Sequence, residues 1–358
     1  MDAGEIVRLR QRNQRLACAR AADPATVVAW FGAMQAQEFG IAKWSVGQRS
    51  VGVDDAAVQR ALDDGLILRT HALRPTWHFI AAADLRWIQA LTGPRVHAVN
   101  GPYYRLHGLD AATAARSNAV LADALRGGRA LTRTELAQAL AAAGMPATGN
   151  KLAYMVMWAE LDGLIASGPL RGSHHTYALV EERAPVQTRL SGDQALAELT
   201  RRYFTSHGPA TVKDFAWWST LTLAQVRRGL QLVGTELSCV DVAGVPYWSA
   251  KSTVDGNGAG PAAHVLQAYD EYTVAYRESR GIIRAAVENE PPRENTVVHS
   301  VILDGLLAGV WRSRREGGAI VARLRPVRRL SAVARRAVDD AFARYEAFAG
   351  VPVRVEPG

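Results

Sequence analysis

Cysteine and lysine are nearly missing from this chain of 358 residues. The two cysteines, Cys18 and Cys239, lie far apart, which excludes a disulfide framework and a C-x-x-C metal site and fits a reducing cytoplasm. Lysine occurs four times, at Lys43, Lys151, Lys213 and Lys251, so the formal net charge of +8 is carried almost wholly by arginine. No run of about 18 uncharged apolar residues is present, so no membrane span is expected. Residues 5–20 are rich in arginine and glutamine, which is not the form of a signal peptide. The phosphate-loop pattern G-x-x-x-x-G-K-[ST], the zinc-protease pattern H-E-x-x-H and the serine-hydrolase pattern G-x-S-x-G are all missing. No metal and no cofactor is expected.

What is present is a globular chain. Apolar residues make up 48%, enough for packed cores, and the length suits two or three domains. A basic balance made of arginine makes nucleic acid a natural partner, because the guanidinium fork matches phosphates and base edges.

The order of elements repeats. Residues 1–22 suggest a charged helix, and Pro24 opens an apolar segment through Phe31. A helix begins at Asp54-Asp55 and stops at Gly65. In LILRTHALRPTWHFI, residues 66–80, Ile67–Arg69 and Thr76–Ile80 suggest strands joined by a bend at Pro75, with Trp77 in the core. The same order returns at 131–180, where Thr132 and Glu135 form a capping box and a glycine-rich tip joins two strands. It returns again at 210–250, with a strand turn at Ala243-Gly244. Residues 251–262 suggest a linker. Beyond it lie a stretch 264–280, a three-strand meander with turns at Asp304-Gly305 and Glu316–Gly318, and an amphipathic helix over 331–350 whose apolar face is Val333, Ala337, Val338, Ala341, Tyr345 and Phe348. The expected fold is mainly α with β wings (α+β): three tandem winged-helix units over 1–128, 129–190 and 191–250, plus a small C-terminal β-containing domain over 263–358.

Three stretches carry chemistry: MQAQEFG at 34–40, RPTWHFI at 74–80 and LQAYDEYTVAYRESR at 266–280. Together with the repeated helix–helix–wing order, they resemble the AlkZ-like winged-helix DNA glycosylases over roughly residues 5–355. Gln35-Ala36-Gln37 is similar to that family's glutamine–aliphatic–glutamine motif; a sister subfamily carries aspartate at the second glutamine. The resemblance implies a monofunctional DNA glycosylase that excises bulky or crosslinked N7-alkylguanine from double-stranded DNA. It also implies a self-resistance role in makers of DNA-alkylating natural products. The alternatives are a non-enzymatic winged-helix transcription regulator and a lesion-binding protein.

Glutamine suits such a lesion. A guanine alkylated at N7 is cationic and already a good leaving group, so the reaction needs an aimed water more than a strong acid. An amide oxygen accepts a hydrogen bond from water and fixes its place. Gln37 is the expected water holder and Gln35 its partner. The plainer reading of both is a helix end whose amides bond spare carbonyls, and Glu38 is a rival base.

Expected DNA contacts are Arg74, Thr76 and His78 on the first wing, Arg171, His174 and His175 on the second, and Arg312, Arg314 and Arg315 in the late hairpin. His78 is read equally well as an interior histidine holding the wing. The late hairpin belongs to a segment, 312–336, with nine arginines and a single acid, Glu316. Asp270 and Glu271 suggest either acid/base carboxylates or a buried ion pair with Arg277 or Arg280. A monomer working in the cytoplasm is expected.

Overall fold

The computed structural model describes residues 1–17, 20–186, 188–251, 262–284 and 298–358. Cys18 and most of the expected linker, 252–261, lie outside the described residues. The fold is helix-rich with small sheets.

The chain opens with α1 (Ala3–Asn13), shorter than the helix expected over 1–22. Next come α2 (Pro24–Phe31), a two-residue strand β1 (Met34–Gln35), α3 (Phe39–Gly47), α4 (Asp55–Asp63), β2 (Ile67–Ala72) and β3 (Arg74–Ala81). Asp23 caps α2 through the Thr26 N–H, and Pro24 takes the first helical position, where its missing N–H costs nothing. The β2–β3 turn sits at Leu73, with φ 59°, and not at Pro75. Pro75 lies inside β3, beyond the two residues that pair with β1, so the ladder does not need its N–H.

A long helix, α5 (Leu85–Leu106), leads to α6 (Ala111–Leu125), β4 (Leu131–Thr132), α7 (Arg133–Ala142), α8 (Gly149–Leu161), β5 (Ile165–Ser167), β6 (Thr176–Leu179) and α9 (Val180–Arg183). The Thr132–Glu135 capping box starts α7. Then follow α10 (Gly192–Ser206), α11 (Val212–Ser219), α12 (Leu223–Val233), β7 (Leu237–Val242) and β8 (Val245–Ala250). The β7–β8 turn uses Ala243 and Gly244, both at positive φ.

In the first two repeats the strand order is the same: the first strand pairs with the third, which pairs with the second. In the third repeat the leading strand shrinks to a single bridge, Ala210 with Trp248.

Beyond residue 262 come β9 (Ala263–Leu266), α13 (Glu271–Val274), β10 (His299–Leu303), β11 (Leu306–Glu316), β12 (Ala319–Pro326), α14 (Ala332–Ala349) and β13 (Val353–Pro357). Strands β9 to β13 form one sheet, antiparallel except that β13 runs parallel to β12. The α14 face that packs on it is Ala334, Val338, Ala341, Phe342, Tyr345 and Phe348; Val333, expected on that face, is exposed.

The largest core is shared. Phe31, Met34, Trp44 and Val46 of the first repeat pack in one cluster with Val265, Val301 and Trp311 of the sheet and Phe342 and Phe348 of α14. A second core joins Leu68 and Ile80 of the first hairpin to Tyr203, Phe215 and Trp218 of the third repeat. The middle repeat has its own core around Leu121, Leu140 and Met155, which reaches Tyr104 at the end of α5.

Candidate active site

MQAQ is not a helix end. Met34 pairs with Phe79 and Gln35 with His78, and the Ala36 N–H continues to the Trp77 carbonyl at 2.8 Å. The segment is therefore an edge strand laid on the first hairpin. Glu38, the rival base, is exposed and leads into α3 without a side-chain cap.

Each glutamine is anchored. The Gln35 N–H donates to Glu271 Oε1 at 2.7 Å, and Arg74 Nη2 donates to Gln35 Oε1 at 2.7 Å. An arginine donor requires the oxygen there, so the orientation of the Gln35 amide follows from its partner. The Trp77 N–H donates to Gln37 Oε1 at 3.3 Å. Arg69 braces the backbone between them, donating to the carbonyls of Ala36 at 3.0 Å and Gln37 at 3.4 Å.

Gln35, Arg74, Pro75 and Thr76 form one wall of a cleft of about 850 Å³. Lys213, Trp217 and Leu223 of the third repeat, Val99 of α5, and Tyr269, Val274 and Arg277 are among the residues that line the other sides. Val99, Trp217 and Leu223 are large apolar residues left exposed, Trp217 by 38%, and gathering them beside a polar pair marks a binding surface. Arg277 lies 5.1 Å over the Trp217 ring. Gln37 is half-buried beside this wall and does not itself line the cleft.

Several expected contacts change role. Arg74 is buried, bonded to Gln35 and to the Trp218 carbonyl at 3.1 Å, and is no free phosphate ligand. Burial lowers its pKa, a shift the nearby Glu271 opposes. His78 is wholly buried, with Nδ1 2.9 Å from the Thr76 carbonyl, so it is the interior histidine and not a DNA contact. Burial first, then Arg74, hold its pKa well below the usual value and keep the ring neutral. Trp77, expected in the core, is half-buried and stacks under the Arg69 guanidinium at 4.2 Å. Thr76 lines the cleft beside Arg74.

Arg171, His174 and His175 are exposed at the second hairpin's tip. Arg171 bonds Glu135, whose carboxyl is pulled down to about 2 by that contact and by the Thr132 cap. His175 sits edge-on to Phe39 at 4.6 Å, which brings this tip beside Gln37.

Arg312 and Arg314 share an exposed face of the C-terminal sheet, and pairing puts Arg323 and Arg325 on it too. Arg315 points to the opposite face, the side of Trp311 and α14.

Asp270 does not pair with Arg277 or Arg280. It caps α13 through the Tyr272 N–H and accepts both arms of Arg49 at 2.8 Å, with both side chains fully buried. Burial raises its pKa, but Arg49 together with the Tyr272 N–H and the Ser45 hydroxyl more than offsets that, leaving the carboxyl below its ordinary value. Glu271 is also buried, and its Oε2 accepts from Trp218 Nε1 at 2.8 Å and His207 Nε2 at 3.2 Å. Nothing in sequence spacing joins residues 35, 74, 218 and 271.

Among the described residues no group of three or more His, Cys, Asp or Glu is placed to hold a metal ion, and no helix is long and apolar enough to cross a membrane.

The chain as a whole has known relatives. Residues 28–348 match the model of the AlkZ-like DNA glycosylases, and the chain belongs to that family of enzymes. It is 24% identical over 303 residues to the interstrand DNA cross-link repair glycosylase of Streptomyces sahachiroi, covering 78% of this chain and 79% of that protein. The solved structure of Streptomyces sahachiroi DNA glycosylase AlkZ has the same fold, with a TM-score of 0.81 at 22% identity over 99% of this chain and 100% of that one.

Proposed function

We propose that this DNA glycosylase hydrolyses the N-glycosidic bond of guanine alkylated at N7 in duplex DNA. Bulky and crosslinked adducts are its substrate class, and self-resistance to a DNA-alkylating natural product is its role. The observation that carries the reading is Gln35: it is held at both backbone and side chain, and it faces a cleft of about 850 Å³ whose other walls are largely apolar. Such walls suit an adduct larger than a methyl group. The name of the Streptomyces relative, an interstrand cross-link repair glycosylase, supports the crosslink class.

In the reaction a water oxygen bonds to C1′ and the C1′–N9 bond breaks. The electron pair goes to the purine and cancels its N7 charge, and the water's proton passes to solvent. Gln37 Oε1 takes one long bond from Trp77 and keeps a second lone pair for the water. Gln35 is its partner in holding that water. The arginine-rich sheet face, with Arg312 and Arg314, tracks phosphates, and Arg171, His174 and His175 meet DNA from the second hairpin.

The architecture belongs to the same proposal. The three repeats are winged-helix units over 1–128, 129–190 and 191–250, followed by a domain over 263–358, acting as a monomer in the cytoplasm. The recurrent first–third–second strand order supports the winged-helix reading.

The test is single-turnover release of N7-methylguanine from a duplex, read as strand breaks after hot alkali. Gln35→Ala and Gln37→Ala should each slow release by roughly 10- to 1000-fold with little change in DNA affinity. The double variant should lose less than the product of the two. Gln37→Glu should retain some activity. If excision falls only in step with the folded fraction, the two glutamines serve the fold and not the reaction.

A further inference from the structure

We infer that Glu271 is a positioning residue for Gln35, acting through a closed ring of hydrogen bonds that runs through the third repeat. The inference rests on the reading of Gln35 as a reacting-site residue. The ring has four members. The Gln35 N–H donates to Glu271 Oε1 at 2.7 Å. Trp218 Nε1 donates to Glu271 Oε2 at 2.8 Å. Arg74 Nη1 donates to the Trp218 carbonyl at 3.1 Å, and Arg74 Nη2 returns to Gln35 Oε1 at 2.7 Å.

The strand needs this help. β1 has two residues and two register pairs, too short for a ladder to hold its edge firmly. The Gln35 N–H points away from β3, to the side where no described strand receives it. A buried carboxylate fills that place although burying its charge is costly. Gln35, Trp218 and His207 all meet Glu271 as donors. His207 is fully buried, and desolvation lowers its pKa, so the neutral ring carries its proton on Nε2 toward the carboxylate. Glu271 itself does not line the cleft. It acts by fixing both ends of Gln35: the backbone directly and the amide oxygen through Trp218 and Arg74. The Gln35 amide nitrogen is then the group left for the cleft.

The two tryptophans of α11 divide the work. Trp217 faces the cleft, and Trp218 enters the ring. The position of this helix in the third repeat therefore sets the aim of a glutamine in the first.

The test is a double-mutant cycle. Glu271→Gln keeps the side chain's size and an oxygen for the Gln35 N–H but presents a donor where Trp218 or His207 now donates. It should slow single-turnover release of N7-methylguanine by roughly 10- to 100-fold, the scale of a small misplacement, with DNA affinity within about twofold. In a Gln35→Ala background the same change should cost less than about twofold, because the side chain it aims is gone. Trp218→Phe removes the indole N–H and keeps the ring's packing. It should give the same pattern, and it decides the matter if Glu271→Gln does not fold. Losses that multiply in both backgrounds, or that only follow the folded fraction, overturn the inference. If the wild-type protein excises while the cycle is multiplicative, the proposed function stands and this inference falls. If the wild-type protein releases no base, both fall.

Discussion

Arg49 and Asp270 meet as a two-pronged ion pair with both side chains at 0% exposure, joining the residues after α3 to the cap of α13. The pair is further enclosed by Ser45 Oγ at 2.7 Å and Gln48 Nε2 at 3.3 Å from the same carboxylate. Removing one partner leaves a buried charge uncompensated, which costs on the order of 3–5 kcal/mol. Arg49→Ala or Asp270→Ala should lower the unfolding free energy by that amount. Excision per folded molecule should change far less than in Glu271→Gln. A denaturant titration set beside single-turnover rates checks this. A stable Asp270→Ala protein without turnover would move Asp270 from the fold into the reaction.

Salt dependence separates the two faces of the C-terminal sheet. Arg312 and Arg314 lie on the exposed arginine-rich face, while Arg315 lies on the side of α14. Every phosphate that is no longer neutralised should reduce the slope of log affinity against log salt by about 0.9. Arg312→Ala with Arg314→Ala should flatten the slope, and Arg315→Ala should leave it near the wild-type value. Fluorescence anisotropy with an undamaged duplex across salt concentrations gives both slopes. The reverse ranking would put DNA on the other side of the sheet.

The buried His78, His207 and His264 and the half-buried His299 should make the fold acid-sensitive. Burial pushes His264 from 6.5 down to about 3 and His299 down to about 4, and it depresses His78 and His207 as well. Below about pH 6.5 the unfolded chain binds these protons and the folded chain does not, so stability is full above that pH and is lost as pH falls. Each such group removes up to about 1.4 kcal/mol per unit below 6.5. The melting temperature should therefore fall from pH 7 to pH 5, with a shallower fall in His299→Gln. A flat profile over that window would contradict the neutral state of these rings.

Turns and caps are legible in the sequence because they are local. Thr132 with Glu135, Ala243-Gly244 and Asp304-Gly305 announce themselves within a few residues, and the structure uses each of them. Gln35 and Gln37 are legible as a motif. Their setting is not. A two-residue strand has no period, so MQAQ suggests a helix end, and only the pairing with His78 and Phe79 makes it a strand. Arg74 and His78 sit in a strand next to Thr76, and sequence alternation alone does not say that both are buried while Thr76 lines a cleft. Arg49, which pairs with Asp270, and Gln35, which pairs with Glu271, lie more than two hundred residues away, beyond any local rule. α5 is hidden for another reason: Pro94 and Pro102 lie inside it, and proline inside a helix usually marks its end.

The cluster that packs Phe31 and Met34 against Trp311 and Phe342 means that the strand bearing Gln35 rests on side chains supplied from the far end of the chain. A protein cut before residue 262 would expose the underside of that strand to water. The C-terminal sheet is thus the bench on which the first repeat is mounted, and a shortened chain would lose the glutamines' footing together with the arginine face of β11 and β12.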